Sequence, residues 1–320
     1  MGTRMLQVLA ERNFPVTELY PVASGKSVGR KVVFKGKEYE VISAEDAIAK
    51  CPDLALFSAG GSVSAELAPR FAEVGCRVVD NSSQWRMDPT KKLVIPEING
   101  DCLEESDMII ANPNCSTIQM LIAIAPLHYR YKIKRIVVST YQSVSGTGYK
   151  ALNQMNAERE GGKWGEYPAV YPCPIDMNIL PHIDVFQDNG YTKEEMKMFN
   201  ETRKIMHEPE ISVSAMCVRV PVLRAHSEAV WVETERPISV DEAREAFAKG
   251  EGLVVIDNPA EKEYPMPLFT SGKDPVYVGR IRKDLACECG LSFCVVGDQI
   301  KKGAALIAVQ IAQYLLAHKK

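Results

Sequence analysis

The chain has 320 residues, 46% hydrophobic and 25% charged, with a formal net charge of −3. That length holds one large domain or two medium ones, and no basic stripe is present to suit nucleic acid as a partner. No apolar run approaches the roughly 20 residues of a membrane helix, and the opening "MGTRMLQVLAERNF" lacks the apolar core and cleavage site of a signal peptide.

In chain order, Leu6, Val8, Leu9 and Phe14 make the apolar face of a first helix. "TELYPVAS" reads as a strand ending in a small-residue loop, and "DLALFSAGG" as a buried strand followed by glycines. "SVSAELAPRFAEVG" reads as a helix stopped at Gly75, "CRVVDNSS" and "MIIANP" as the next strands, and a helix follows Cys115. This alternation predicts an α/β fold with a Rossmann-like parallel sheet and helices on both faces. Past Arg130 the texture changes. "IKRIVVSTYQSVSG" reads as a long strand, and "ISVSAMCVRVPVLRAHSEAVWVETE" alternates as an antiparallel strand pair would. Between them the polar, proline-rich stretch 161–181 is too long for a turn and reads as a cover or an interface arm. The closing "KKGAALIAVQIAQYLLAHKK" is one amphipathic helix, of the kind that covers a sheet in the first half. The expected division is therefore 1–116 with 300–320 as one domain and 117–299 as an α+β domain with a mixed sheet.

Nine cysteines are scattered through the chain, as in cytoplasmic proteins that keep thiols reduced. "CECGLSFC" does not have a usual zinc spacing and has no histidine beside it; Cys287 and Cys289 fit same-face positions of an extended segment better. Cys115, in "NPNCST", stands where a strand ends and a helix begins. It is either a bland loop cysteine or a thiolate seated on a helix N-terminus, whose N–H groups and dipole favour the charged sulfur. A thiolate mechanism needs a proton partner. Of five histidines, His226 lies in a strand-rich segment with Arg219 and Arg224 close by, which suits an anionic ligand as well as a core histidine. Glu194 and Lys197 sit one helical turn apart, as a solvated ion pair or as a site.

Together "NPNCST", "DNSSQWRMD", "YQSVSG", "EEMKM", "RVPVLRAHSE" and "DQIKKGAALIAVQIA" resemble, in order and spacing, the aspartate-β-semialdehyde dehydrogenase family in its Gram-positive bacterial form. The likeness covers essentially the whole chain. It implies NADPH-dependent reductive dephosphorylation of 4-phospho-L-aspartate to L-aspartate 4-semialdehyde, on the route to lysine, threonine and methionine. It implies that Cys115 forms a thioester, that His226 is the general acid/base, and that Gln142 orients the acyl group. It implies that Arg219 forks the substrate carboxylate, Glu194 takes the ammonium, and Arg86 and Lys197 hold phosphate with Asn114 beside them. For NADP it implies Ser24, Lys26 and Ser27 at the 2′-phosphate, Ser58, Gly60 and Gly61 at the next strand end, and Ser145, Gly146 and Gln299 near the nicotinamide. Gln299 stands where the family usually has Asn. A small-molecule substrate and a homodimer or homotetramer are implied too, with no nucleic-acid or membrane partner.

The family begins with a strand and a glycine-rich loop, and here Gly2 and Thr3 match only the end of that loop. The expectation is a truncated or mis-called N-terminus, with NADP(H) bound poorly by these 320 residues. The alternatives are an N-acetyl-γ-glutamyl-phosphate reductase-like enzyme, which acts on an N-acylated substrate, and an inactive truncated form.

Overall fold

The N-terminal apolar stripe forms helix α1 (Gly2–Glu11), which buries Met5, Val8 and Leu9. The computed structural model describes residues 2–318. A hairpin of β1 (Lys31–Phe34) and β2 (Lys37–Glu40) precedes α2 (Ala44–Ala49), whose first turn is capped by the Ser43 hydroxyl accepting from the Asp46 N–H. Then β3 (Leu54–Phe57), α3 (Gly61–Glu73), β4 (Arg77–Asp80), β5 (Lys92–Leu93), α4 (Pro96–Asn99) and β6 (Ile109–Ala111) follow. Their strands form one sheet of order β3-β4-β6-β5, every pairing parallel, which is the Rossmann-like alternation the pattern predicts.

Two expectations need correction here. "TELYPVAS" makes a single bridge, Val22 to Ile42, rather than a strand; Pro21 has no N–H to give to a ladder. The "DLALF" strand is half-buried throughout rather than buried, because β3 is the edge of its sheet.

The chain divides into two compact units: residues up to Pro113 together with those from Ala304 onward, and Asn114–Gly303. Of the expected boundaries, the one after 116 falls inside the first turn of the helix that begins at Cys115, and the one before 300 falls in the turn ahead of the π-helical segment Lys301–Leu306. Cys115 therefore belongs, with all of its helix, to the second unit.

That unit opens with α5 (Cys115–Tyr131), most of it buried, with His128 in its last turn. It continues through β7 (Ile133–Ser143), α6 (Tyr149–Arg159), α7 (Lys193–Met206), β8 (Ser212–Val220), β9 (His226–Thr234), α8 (Val240–Lys249), β10 (Leu253–Val255), α9 (Pro267–Thr270), β11 (Val276–Lys283) and β12 (Gly290–Gly297). The stretch 161–181 is pinned to α6, where Gln154 accepts from the Val170 and Tyr171 N–H groups and Glu158 from those of Ile175 and Asp176. The last helix, α10 (Ile307–Ala317), returns to the first unit after a π-helical turn, Lys301–Leu306. Among the described residues no helix is long and apolar enough to cross a membrane.

The mixed sheet runs β10-β11-β12-β9-β7-β8. β8 and β9 are not an antiparallel pair, as their alternation suggested. They flank β7, β8 parallel to it and β9 antiparallel. The link 221–225 passes over the end of β7, with the Val144 N–H bonded to the Val222 carbonyl, and Pro221 cannot continue a ladder. Cys287 and Cys289 lie in the turn joining β11 to β12, not in an extended segment.

Candidate active site

Register alone sets three side chains in a row. Gln142 on β7 pairs with Arg219 on β8, and Tyr141 pairs with Ser227 on β9, so His226 stands beside Gln142 on the same face. All three are buried. The face they share is covered by α5 and α7: Gln119 of α5 reaches the His226 carbonyl, and Cys217, two residues before Arg219, lies 3.8 Å from Met198 of α7. The crossing of 221–225 over β7 thus places a cation, an amide and an imidazole together at the sheet end.

The N-terminus of α5 meets this row. Asn114 is its cap: Oδ1 accepts from the Ser116 and Thr117 N–H groups at 3.0 and 3.4 Å. Its Nδ2 donates to Glu194 Oε1 at 3.0 Å, and Gln142 Nε2 donates to the same oxygen at 3.3 Å. Lys197 Nζ lies 2.9 Å from Glu194 Oε2 and 2.9 Å from Asp184. Burial alone would raise the Glu194 carboxyl; the Lys197 ammonium and the two amides outweigh it and hold the group below the ordinary carboxylate range. Lys197 is held above its ordinary value, burial opposing Glu194 and Asp184. Glu201, two helical turns beyond Glu194, accepts the Asn114 N–H at 2.7 Å. Sequence reasoning missed it, although the spacing of seven within one helix was the available signal.

His226 is fixed from the other side. The Ser143 N–H donates to its Nδ1 at 3.0 Å, and the Ser143 hydroxyl is 3.1 Å from the same nitrogen. Nε2 has no hydrogen-bond partner among the described residues. Burial, and then the neighbouring Arg219 guanidinium, push the imidazole well below its ordinary value, so it is neutral. Arg219 Nη1 donates to the Ser143 carbonyl at 2.7 Å, while its Nε has no partner among the described residues. In front of both lies Gly146, where a Cβ would come within 3.2 Å of His226 Nε2 and 3.0 Å of Arg219 Nη1. The bare glycine keeps a flat space open.

Gln299 is engaged at both ends of its amide. Its Oε1 accepts the Ala225 N–H at 2.9 Å, and its Nε2 donates to Ser145 Oγ at 2.6 Å. Ala225 is a buried non-glycine residue at φ +69°, next to His226, so this bond braces a strained turn. Asp298 is fully occupied as well: it accepts the Ile300, Lys301 and Gly272 N–H groups and pairs with Arg224 at 2.6 Å. The turn it caps brings Gly303 against Cys115, where a Cβ would lie 2.6 Å from Cys115 Cβ. Ser143 and Gly303 lay inside the recognised motifs, but a close approach and a main-chain donor leave no mark on sequence.

The remaining expected residues lie in the first unit. Gly2 and Thr3 are exposed at the start of α1. Ser24, Lys26 and Ser27 form an exposed 3₁₀ turn, Gly25–Ser27 with Ser24 before it, bearing an amine, two hydroxyls and no carboxylate. Ser58 follows β3, Gly60 (φ +93°) caps α3, and Gly61 begins it. A glycine-headed helix beside a strand end and an exposed basic turn fit the phosphates of a dinucleotide. Arg86 is buried, with Nη2 donating to the Asn81 carbonyl at 2.8 Å.

Comparison with known proteins finds relatives along the whole chain. A family model described as semialdehyde dehydrogenase, NAD binding domain, matches residues 1–106, and semialdehyde dehydrogenase, dimerisation domain, matches 124–302. The aspartate-semialdehyde dehydrogenase of Aquifex aeolicus is 53% identical over 99% of this chain and 95% of its own length. That of Bacillus subtilis is 44% identical over 98% and 94%. The crystal structure of aspartate semialdehyde dehydrogenase II from Vibrio cholerae superposes with a TM-score of 0.95 at 43% identity, covering 100% of this chain and 96% of that one.

Proposed function

The chain belongs to the aspartate-semialdehyde dehydrogenase family, and from that premise we propose that it reduces 4-phospho-L-aspartate with NADPH, reversibly, through a thioester on Cys115. The observation that carries this reading is the capped N-terminus of α5 set beside Gln142, Arg219 and His226. The helix end favours the thiolate that attacks the acyl carbon, and phosphate leaves as the S–C bond forms. Arg219 offers Nε and the rest of its fork to the substrate carboxylate. Glu194, kept ionised, serves the substrate ammonium by exchanging one of its present partners. Lys197 and Arg86 serve phosphate with Asn114 beside them, Gln142 orients the acyl group, and His226 serves as general acid/base at its oxygen.

NADPH, when bound, supplies the hydride. Ser24, Lys26 and Ser27 suit its 2′-phosphate, Gly2, Thr3, Ser58, Gly60 and Gly61 its pyrophosphate and ribose, and Ser145 and Gly146 its nicotinamide. Gln299 contributes by bracing Ala225 and Ser145. A buried carboxylate suits a free ammonium and not an N-acylated substrate, so nothing favours the N-acetyl-γ-glutamyl-phosphate reductase alternative. The enzyme works as a homodimer or a homotetramer in the cytoplasm, where its nine cysteines stay reduced.

The test is Cys115→Ser. A hydroxyl is far less acidic than a thiol, so phosphate-dependent oxidation of the semialdehyde with NADP should fall by at least about 10³-fold while the fold is kept. Activity within tenfold of the parent removes Cys115 from the mechanism.

A further inference from the structure

We infer that Asp184 is a positioning residue that shares the Lys197 ammonium with Glu194, which keeps Glu194 open to the substrate ammonium and loosens the hold of Lys197 on phosphate. The inference rests on the roles given above to Glu194 and Lys197 and deepens them.

Asp184 stands ahead of α7, in a stretch that main-chain bonds fix to the helix head. The Lys193 N–H donates to the Val185 carbonyl at 2.8 Å, and Phe186 bridges to Thr192. Asp184 itself takes φ +69°, a left-handed conformation that Asp and Asn tolerate better than most side chains. Its two oxygens have separate duties. Oδ1 accepts the Val185 N–H at 2.9 Å, and Oδ2 accepts from Lys197 Nζ at 2.9 Å. Lys197 thus spends one N–H on Asp184 and another on Glu194 Oε2, also at 2.9 Å. The row runs from the interior outward, with side-chain exposures of 7% for Glu194, 19% for Lys197 and 33% for Asp184. Burial would raise the Asp184 carboxyl; Lys197, the Val185 N–H and the exposed Lys193 outweigh it and hold the group below its ordinary value, so it is charged.

The charges give the second carboxylate its purpose. Seated on Glu194 alone, Lys197 would neutralise it, and an arriving substrate ammonium would meet a cation as well as an anion. Two carboxylates against one ammonium leave one negative charge, and the substrate ammonium brings the row to neutrality. Glu194 Oε1 already accepts from Asn114 and Gln142, so Oε2 is the oxygen at which Lys197 and the substrate compete. When the substrate takes it, Lys197 keeps the Asp184 carboxylate and is not left as an unpaired, half-buried charge. It therefore meets phosphate as a cation already partly neutralised. When the acyl phosphate is reduced, phosphate is the product that has to leave, and a cation with a carboxylate of its own holds it less firmly.

The experiment follows phosphate-dependent oxidation of L-aspartate 4-semialdehyde with NADP by the full chain, and reads separate KM values for the semialdehyde and for phosphate. Asp184→Asn is the test variant. Asn accepts the same φ and can keep the bond from the Val185 N–H, while its NH2 faces Lys197 in place of an anion. The expected result is a KM for the semialdehyde raised about tenfold and a KM for phosphate lowered about threefold. Opposed shifts are what a loosened loop would not produce. Two KM values that rise together, or that both stay within twofold of the parent, overturn the inference. Lys193→Ala removes a charge that faces Asp184 from solvent and should leave both constants within about twofold. Shifts there as large as those of Asp184→Asn and opposite in sign would assign the effect to the general field and overturn the sharing of Lys197. Should far-UV circular dichroism show Asp184→Asn unfolded, Asp184→Gly, which also accepts φ +69°, takes its place with the same expected shifts. A parent without phosphate-dependent activity removes the proposed function and this inference with it; an active parent whose constants do not move in the variants removes Asp184 alone.

Discussion

Arg219 shows what one side chain owes to its chemistry rather than its charge. One arm of its guanidinium is spent on the Ser143 carbonyl, and Nε remains for a ligand. Arg219→Lys keeps the charge and loses the fork, so it cannot hold Ser143 and a carboxylate at once. The expected outcome is a loss of about 30- to 150-fold in kcat/KM for the semialdehyde, equivalent to about 2–3 kcal/mol of charge-assisted hydrogen bonding. Steady-state kinetics checks it, and a loss below fivefold would place the carboxylate elsewhere. Glu228 was not legible as special in "RAHSE". It stands on β9 two residues from His226, on the same buried face, and burial raises its carboxyl well above the ordinary value although Gln119 opposes this. The folded chain therefore keeps a proton that the unfolded chain releases near pH 4.5. Stability is full below that value and declines as pH rises toward the folded value. Glu228→Gln removes the decline. Its stability relative to the parent should improve from pH 5 to pH 8, at no more than about 1.4 kcal/mol per pH unit. Thermal melts across that range test this, and a difference that does not change with pH would mean that Glu228 is ionised.

Among the elements, α5 was readable because its signals are local: a proline before it, an Asn cap, and an apolar run after it. The strand order β9-β7-β8 was not, because alternation specifies which face a residue takes and says nothing of which strand lies next to it. "TELYPVAS" failed for the related reason that a strand is defined by its partner, and a single bridge is all it has. The π-helical turn Lys301–Leu306 was hidden inside an apolar periodic segment that reads as ordinary helix. Its consequence is Gly303. A methyl group there would sit 2.6 Å from Cys115 Cβ and 3.1 Å from its Cα, atoms that cannot give way without moving the head of α5. Gly303→Ala should cost about 1–3 kcal/mol of stability as an overpacked contact. It should also lower kcat by more than tenfold and change the alkylation rate of Cys115, read by peptide mapping after iodoacetamide. Parent-like kcat together with parent-like alkylation would show that the turn yields instead of Cys115.

At the scale of the whole molecule, the mixed sheet has two faces and the site uses one. The other is reached by the residues between those of the site row: Tyr141 on β7, Met216 on β8, and Ser139, Ala229 and Cys294 in register across β7, β9 and β12. Tyr141 is 41% exposed and Met216 55%, both of them large side chains. A row of small and apolar residues standing out from a six-stranded sheet is what a second copy of the chain can cover, and this unit is the one matched by the dimerisation-domain model. The side chains alternate strictly along β7 and β8, so a change at Met216 points away from Gln142 and Arg219 and leaves their face intact. Met216→Asp places a charge where burial against a partner would be required, and a carboxylate that loses water without gaining a partner costs several kcal/mol. It appears twice in a symmetric interface, so each dimer bears the penalty twice. The expected outcome in sedimentation velocity is a parent of twice the chain mass or a larger even multiple, and a variant shifted to the single chain at low micromolar concentration. Far-UV circular dichroism should stay unchanged, separating dissociation from unfolding. A variant that remains associated and fully folded would place the subunit contact on another surface and leave Tyr141 and Met216 to face solvent.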